Sequence, residues 1–291
     1  MSPQRLIMIL GTMVLTLFAV SCGDSGKDGG IGGQRSVASN EWLAIDLITG
    51  EARSLNQAPD LNASVWRTTQ VLVLAVRGPL LRVAADPWAK AGESPVLAPG
   101  PSYFIAVFEL TQQQWQLLGG GTPWRSLASA GLVGTEEAPE APAYGLSRIE
   151  VDRVLAAARV RGQFSLPSAS QWEYACRAGS SARFGWGDNP TPQVAGVYAH
   201  TWETGNAVTG PRRVGSLAAN AFGLHDMHGN VAELVQDGTL RGGSWSDSVA
   251  GVRAGLRQAI DPATPHALAG LRVIYVPVAS KNPISPRGFR D

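Results

Sequence analysis

Scattered along this chain of 291 residues are 34 glycines and 19 prolines, with no short repeat period. This lies well above the roughly 12% that the two types average together in ordinary domains. Both residues interrupt helices and strands, so this content points to a fold rich in loops and short strands. With 44% hydrophobic and 16% charged residues, the bulk of the chain can still bury a core, as one large or two ordinary domains. Its 24 basic residues are balanced by 23 acidic ones, which leaves no electrostatic footprint for nucleic acid or for an anionic membrane face. Two cysteines cannot build a scaffold of several disulfides, so stability must come from the core or from metal ions.

The first segment reads as an address. Arg5 precedes an apolar run over 6–20, then Ser21 and Cys22. That pattern is an export signal, and the run is short for the roughly 20 residues of a membrane-spanning helix, the alternative reading. The string Phe18-Ala19-Val20-Ser21-Cys22 resembles a bacterial lipobox, with Ala19 where leucine is usual. Cys22 would then be acylated and become the new N-terminus, and several acyl chains at about 0.8 kcal/mol per buried methylene would hold the protein on a membrane. Gly23 after the cysteine favours the outer over the inner membrane of a bacterial envelope. The glycine-rich stretch that follows suits a flexible tether.

We expect a signal peptide over 1–21, a tether over 22–40, an N-terminal β-rich extension over 41–76, a main domain over 77–277 and a tail over 278–291. Within 41–55, two short strands flank a Thr49-Gly50 turn, and 71–83 is strand-rich with a break at Gly78-Pro79. Helical character is expected over 111–118 and over 147–160, where Ser147 and Glu150 form a capping box. The segment 119–144 reads as a long connection.

Four strings carry an identification: Leu166-Pro167-Ser168-Ala169-Ser170-Gln171-Trp172-Glu173-Tyr174-Ala175-Cys176-Arg177-Ala178-Gly179, then Phe184-Gly185-Trp186-Gly187-Asp188, then Asn220-Ala221-Phe222-Gly223-Leu224-His225-Asp226-Met227-His228-Gly229-Asn230-Val231-Ala232-Glu233, then Leu240-Arg241-Gly242-Gly243-Ser244-Trp245. In this order they resemble the formylglycine-generating enzyme family, also called sulfatase-modifying factors. The resemblance covers roughly 77–275 and includes an early strand at 103–111 and a closing strand at 270–273. It implies an α+β, C-type-lectin-like fold, loop-rich with short strands and few helices.

The resemblance also implies a calcium site made by Asp226, the carbonyls of Gly229 and Val231, and Glu233, all hard oxygen donors. The alternative is that Asp226 caps a turn and Glu233 is solvated. A second family calcium site starts at an asparagine that is matched here by His200, and the loop after it looks shortened. His225 and His228, three apart, have no third nitrogen or sulfur ligand near them and read as structural. Trp172, Tyr174 and Trp186 read as core aromatics, and Cys176 as a small buried hydrophobe.

Family oxidases resemble Gly-Gly-Ser-Tyr/Trp-x-Cys-x4-Cys, in which two thiolates bind copper(I). Soft sulfur selects that ion and carboxylate oxygen does not. Here the two positions hold Asp247 and Val252, and no cysteine follows Cys176. Copper is therefore not expected.

Two readings of function follow. In the first, the protein is a lipid-anchored binding or structural protein whose 246–268 region recognises a protein or small-molecule ligand; nucleic acid is not a partner. Some such domains are variable proteins diversified by a retroelement, which a near-copy of the 244–272 coding segment beside a reverse transcriptase gene would mark. In the second, it is an enzyme of the same superfamily: a non-copper metal-dependent oxidase, or a formylglycine-generating oxidase acting on sulfatase cysteines. Ser244, Trp245, Asp247, Arg253 and Arg257 would line its pocket, with Asp247 as base or metal ligand and the arginines holding an anionic substrate.

Overall fold

The computed structural model describes residues 41–83, 96–97, 101–131, 138–205 and 209–278. The expected signal segment, the tether with Cys22, and 279–291 lie outside the described residues. In chain order come β1 (Trp42–Asp46), β2 (Ala52–Leu55), α1 (Val65–Thr68), β3 (Gln70–Val76), β4 (Leu81–Arg82), β5 (Val96–Leu97) and β6 (Tyr103–Ala106). Then follow α2 (Gln112–Leu117), α3 (Pro123–Ser129), α4 (Arg148–Ala157), β7 (Gln163–Ser165), α5 (Ala169–Arg177) and α6 (Pro192–Ala195). The C-terminal part holds β8 (Ala232–Leu234), β9 (Thr239–Arg241), a 3-10 turn (Val249–Val252), β10 (Gln258–Ala259), β11 (Ala269–Leu271) and β12 (Ile274–Val276).

One sheet has the order β2-β1-β3-β6-β12-β7 and is antiparallel throughout. Strand β3 explains why both its faces are dry. Its alternation sends Val71 and Val73 to one core cluster, with Ile45, Trp115, Trp124 and Phe164, and Leu72 and Leu74 to another, with Trp42, Trp172, Cys176 and Met227. A strand buried on both sides needs an unbroken apolar run, and Val71-Leu72-Val73-Leu74-Ala75-Val76 supplies it. The stretch expected as an extension, 41–76, thus contributes three of this sheet's six strands, paired to β6 through β3. A smaller sheet, β10-β9-β8-β11, carries the C-terminal motifs, with β11 parallel to β8.

Helix α5 presents the first motif inward. Ser168 Oγ accepts from Gln171 N (3.1 Å) and Gln171 Oε1 accepts from Ser168 N (2.9 Å), which satisfies two of the backbone donors that a helix start leaves free. It ends at left-handed Ala178 (φ +49°) and Gly179 (φ +88°). Trp172 and Cys176, four apart, and Glu173 and Arg177, four apart, are all buried.

Three expectations change. Helix α3 lies inside the segment read as a connection, because Pro123 occupies the first helical turn, where its missing N–H costs nothing. Only half of the box at α4 forms: Ser147 Oγ accepts from Glu150 N (3.2 Å), and no return bond from the Glu150 side chain completes it. The closing strand over 270–273 is two strands in two sheets, broken at Arg272 and Val273, whose side chains are both fully buried.

Candidate functional site

The Asp-Met-His-Gly-Asn turn is tight because Asp226 (φ +57°), Gly229 (φ +82°) and Asn230 (φ +59°) are all left-handed. At Gly229 a Cβ would stand 2.1 Å from the His200 carbonyl oxygen, so no side chain fits there. The neighbouring strain at Asn230 is held by its amide. Asn230 Nδ2 donates to Glu109 Oε2 (2.5 Å), and Asn230 Oδ1 accepts from Arg212 N (2.8 Å). Glu109 Oε1 also accepts from Val231 N (3.1 Å).

Around this turn lies a buried ion network. Arg272 donates through Nε to both Glu233 oxygens (3.1 Å each) and through Nη2 to Glu233 Oε1 (2.8 Å). Its remaining donors reach the Ala106 carbonyl (2.9 Å) and the His225 carbonyl (2.7 Å). Trp172 Nε1 donates to Glu233 Oε2 (2.5 Å). Glu233 is therefore not solvated, which corrects that alternative. Asp226 Oδ2 accepts from Gly215 N (2.6 Å). Burial first, and then the charges of Asp226 and Glu233, push the Glu109 carboxyl well above the ordinary range. Asp226 is raised by burial as well. Burial works against the Arg272 charge, but Glu233, Glu109 and Asp226 hold its pKa up. Of the three carboxyls only Glu233 is paired directly with an arginine, Arg272, while buried Arg67 donates to the Val214 and Leu61 carbonyls and acts on Asp226 through its charge. The Asp226 and Glu233 carboxyls and the carbonyls of Gly229 and Val231 are oxygen donors of the kind calcium takes, and both Glu233 oxygens already accept from Arg272 and Trp172. Among the described residues no three His, Cys, Asp or Glu side chains form a metal-holding group.

The second motif turns at Gly242 and Gly243 (φ +79° and +63°) and delivers Ser244. Asp247 folds back onto it: Asp247 Oδ2 accepts from Ser244 N (2.8 Å) and from Ser244 Oγ (2.7 Å). Val252 is fully buried beside Phe184 and Val249, and its carbonyl accepts from His228 Nδ1 (2.7 Å). Trp245 is half-buried against the core, and its backbone N–H donates to the Asn230 carbonyl (2.9 Å), which joins the two motifs. Arg253 is buried and Arg257 half-buried. Of the five positions expected to line a pocket, Ser244 and Asp247 are joined in a closed turn, Arg253 is buried, and Trp245 and Arg257 are half-buried.

His228 Nε2 accepts from Gly185 N (3.0 Å) and lies 3.4 Å from Cys176 Sγ. Burial lowers the His228 pKa to about 4 and raises the thiol, so the pair is neutral and inert, the structural role expected of both. His225 Nδ1 bonds the Leu217 carbonyl (2.8 Å), and His200 Nε2 the Gly210 carbonyl (3.0 Å). Trp172 and Tyr174 are core residues, whereas Trp186 is half-buried, stacked between Phe184 (4.5 Å) and Tyr198 (5.5 Å). A cavity of about 300 Å³ lies beside Trp186 and Tyr198, lined also by Asn220, Asp226 and His228.

Sequence reasoning missed Glu109, Glu173, Arg241 and Arg272, all buried and all hydrogen-bonded. A signal for two of them was present: Glu109 in Val107-Phe108-Glu109-Leu110 and Arg272 in Leu271-Arg272-Val273-Ile274 are single charges inside apolar runs, and a charge there is kept only when it is paired.

The short-stranded sheets, the strained turn joined to a buried acid–arginine network, and the Gly-Gly-Ser-Trp hairpin define a domain of the formylglycine-generating-enzyme class. Residues 68–276 match the sulfatase-modifying factor enzyme 1-like domain family, and the chain belongs to that family. It is 41% identical over 78 residues to the formylglycine-generating enzyme of Mycobacterium tuberculosis, covering 23% of this chain and 25% of that one. It is 28% identical over 149 residues to that of Thermomonospora curvata, covering 48% and 47%. The matches thus span less than half the length of these relatives. Among solved structures, PvdO from Pseudomonas aeruginosa aligns with a TM-score of 0.59 at 19% identity, over 71% of this chain and 94% of that one. Treponema denticola variable protein 1 aligns with a TM-score of 0.59 at 18% identity, over 72% and 96%. These likenesses show the fold, α+β and loop-rich as the motifs implied.

Proposed function

We propose that this chain uses the family fold for binding and not for copper-dependent oxidation of cysteine. One observation carries the reading: at the two positions where family oxidases resemble a thiolate pair, Asp247 is engaged in a turn with Ser244 and Val252 is packed into the core. A carboxylate held by two donors and an aliphatic side chain offer no soft ligand for copper(I). The surface beside them suits recognition. Trp202, whose backbone N–H donates to the Asp247 carbonyl (3.2 Å), is 61% exposed, and Ser246, beside Asp247 in the chain, is exposed as well. Loops displayed on a rigid core are a common place for a binding face, and an exposed indole supplies much contact area. The variable protein among the structural neighbours is in keeping with such a use of this fold. Competition with a copper(I) chelator tests the reading: no stoichiometric copper is expected on the protein, and tight one-to-one uptake would contradict it.

In the same reading, Asp226, Glu233 and the carbonyls of Gly229 and Val231 hold a structural calcium ion, which supplies positive charge to the acid-rich turn. Adding calcium to chelator-treated protein is expected to stabilise it by about 2.7 kcal/mol at a hundredfold excess over Kd. A melting temperature indifferent to calcium would remove the ion from the account. We further propose that Cys22 is acylated and anchors the domain to a bacterial envelope membrane, preferably the outer one. The supporting observation is the lipobox-like string before it. Among the described residues no helix is long and apolar enough to cross a membrane. Cys22→Ala is expected to move the protein from the detergent-extracted membrane fraction to the soluble one, and unchanged membrane retention would refute the anchor.

A further inference from the structure

The smaller sheet holds an arrangement of positive charge that none of the contacts above accounts for. Strands β9 and β10 pair with Gln258 opposite Leu240 and Ala259 opposite Thr239. The same antiparallel register carried one residue further sets Arg257 across from Arg241. Like charges facing each other across two strands destabilise a sheet unless something lies between them.

Arg241 has a fully buried side chain. Its Nη2 donates to Glu173 Oε2 (2.5 Å) and to the Ala254 carbonyl (2.9 Å), and its guanidinium stands 5.5 Å from the centroid of the Trp172 ring. Its Nε and Nη1 are buried and meet no acceptor, and the buried Nε of Arg257 meets none either. Glu173 is already shared, because its other oxygen takes Arg177 Nε (2.9 Å). One carboxylate therefore faces two guanidinium groups, Arg177 and Arg241, with Arg257 as a third charge beside them. Burial lowers the Arg241 pKa, Glu173 lifts it, and Arg257 lowers it again. Buried donors without acceptors are rare in folded proteins and call for a partner. Arg257 is only half-buried, and Gln258 and Ala259 after it are exposed, so this edge of the sheet opens to solvent.

We propose that Arg241 and Arg257 form a binding site for a small oxyanion, the carboxylate, sulfate or phosphate group of a ligand. Two oxygens of a carboxylate, sulfate or phosphate group accept from guanidinium N–H groups in pairs, and a buried arginine is desolvated in advance of the encounter. The inference deepens the binding reading, in which the 246–268 region recognises a ligand, and rests on it, since it names the chemistry recognised beside that region.

The test uses the full chain in a chloride-free buffer, titrated with inorganic phosphate and, separately, with acetate. A saturable rise in melting temperature of about 2–4 °C is expected at several times the dissociation constant, with at least one of the two anions. The rise should vanish in Arg257→Gln. No rise with either anion overturns the site, and so does an unsaturating rise shared by Arg257→Gln, which is the general effect of excluded anions. If Arg257→Gln does not fold, calorimetry on the unaltered protein decides: saturable heat with a stoichiometry of about one supports the site, and no heat refutes it. Failure here is distinct from failure of the binding reading, which falls if the chain takes up copper(I) or oxidises cysteine, whatever phosphate does.

Discussion

Arg272→Ala is expected to cost about 3–5 kcal/mol, the effect of stranding a buried carboxylate without its partner. The side chain is fully buried and fills the gap between β11 and β12. Its donors join three separate segments: the end of β6 through the Ala106 carbonyl, the motif turn through the His225 carbonyl, and β8 through Glu233. Domains of this size are stable by only about 5–15 kcal/mol, so the variant should melt far below the parent or fail to accumulate. Glu233→Met with Arg272→Met separates charge from packing. Because an apolar replacement of both partners removes the stranded ion, the double variant should be more stable than Arg272→Ala alone. Chemical denaturation of the three proteins measures the difference.

The second large effect is expected at Glu173. Its two oxygens hold Arg177 Nε (2.9 Å) and Arg241 Nη2 (2.5 Å), and all three side chains are buried. Glu173→Leu keeps much of the volume and leaves two guanidinium groups in the core without their carboxylate, again a loss of about 3–5 kcal/mol. Glu173→Gln keeps one acceptor and should fall between the two. If the oxyanion site is real, phosphate should recover part of the Glu173→Gln loss, since the anion would return negative charge to the same arginines. A loss below about 1 kcal/mol for Glu173→Leu would show that the cluster is hydrated and does not behave as a buried network.

Much of the fold was legible because the family strings each carry a local geometric necessity. Gly229 must be glycine beside the His200 carbonyl, Ser168 and Gln171 close a helix start, and the Val71 to Val76 run demands burial on both faces. What the strings do not display is partnership across the chain. Glu109 meets Asn230, and Glu173 meets Arg241, over separations of 121 and 68 residues. No spacing rule reaches that far, although single charges in apolar runs could have flagged Glu109 and Arg272. Helix α3 was hidden because Pro123 signals a break until its place in the first turn is known. Asp247 was read as a possible base or ligand, since a sequence cannot show that its carboxylate is already turned onto Ser244. The sequence pairs Arg257 with Arg253, four residues away, whereas the β9–β10 register extended by one residue sets it across from Arg241.

The central claim is that this member of the family keeps the scaffold and has given up the copper-dependent oxidation. Incubating the full chain with copper(I), oxygen and a peptide carrying a sulfatase-type cysteine motif tests it most directly, with mass spectrometry reading the cysteine. The account predicts an unchanged thiol. Conversion of that cysteine to the aldehyde, formylglycine, at multiple turnovers would contradict it.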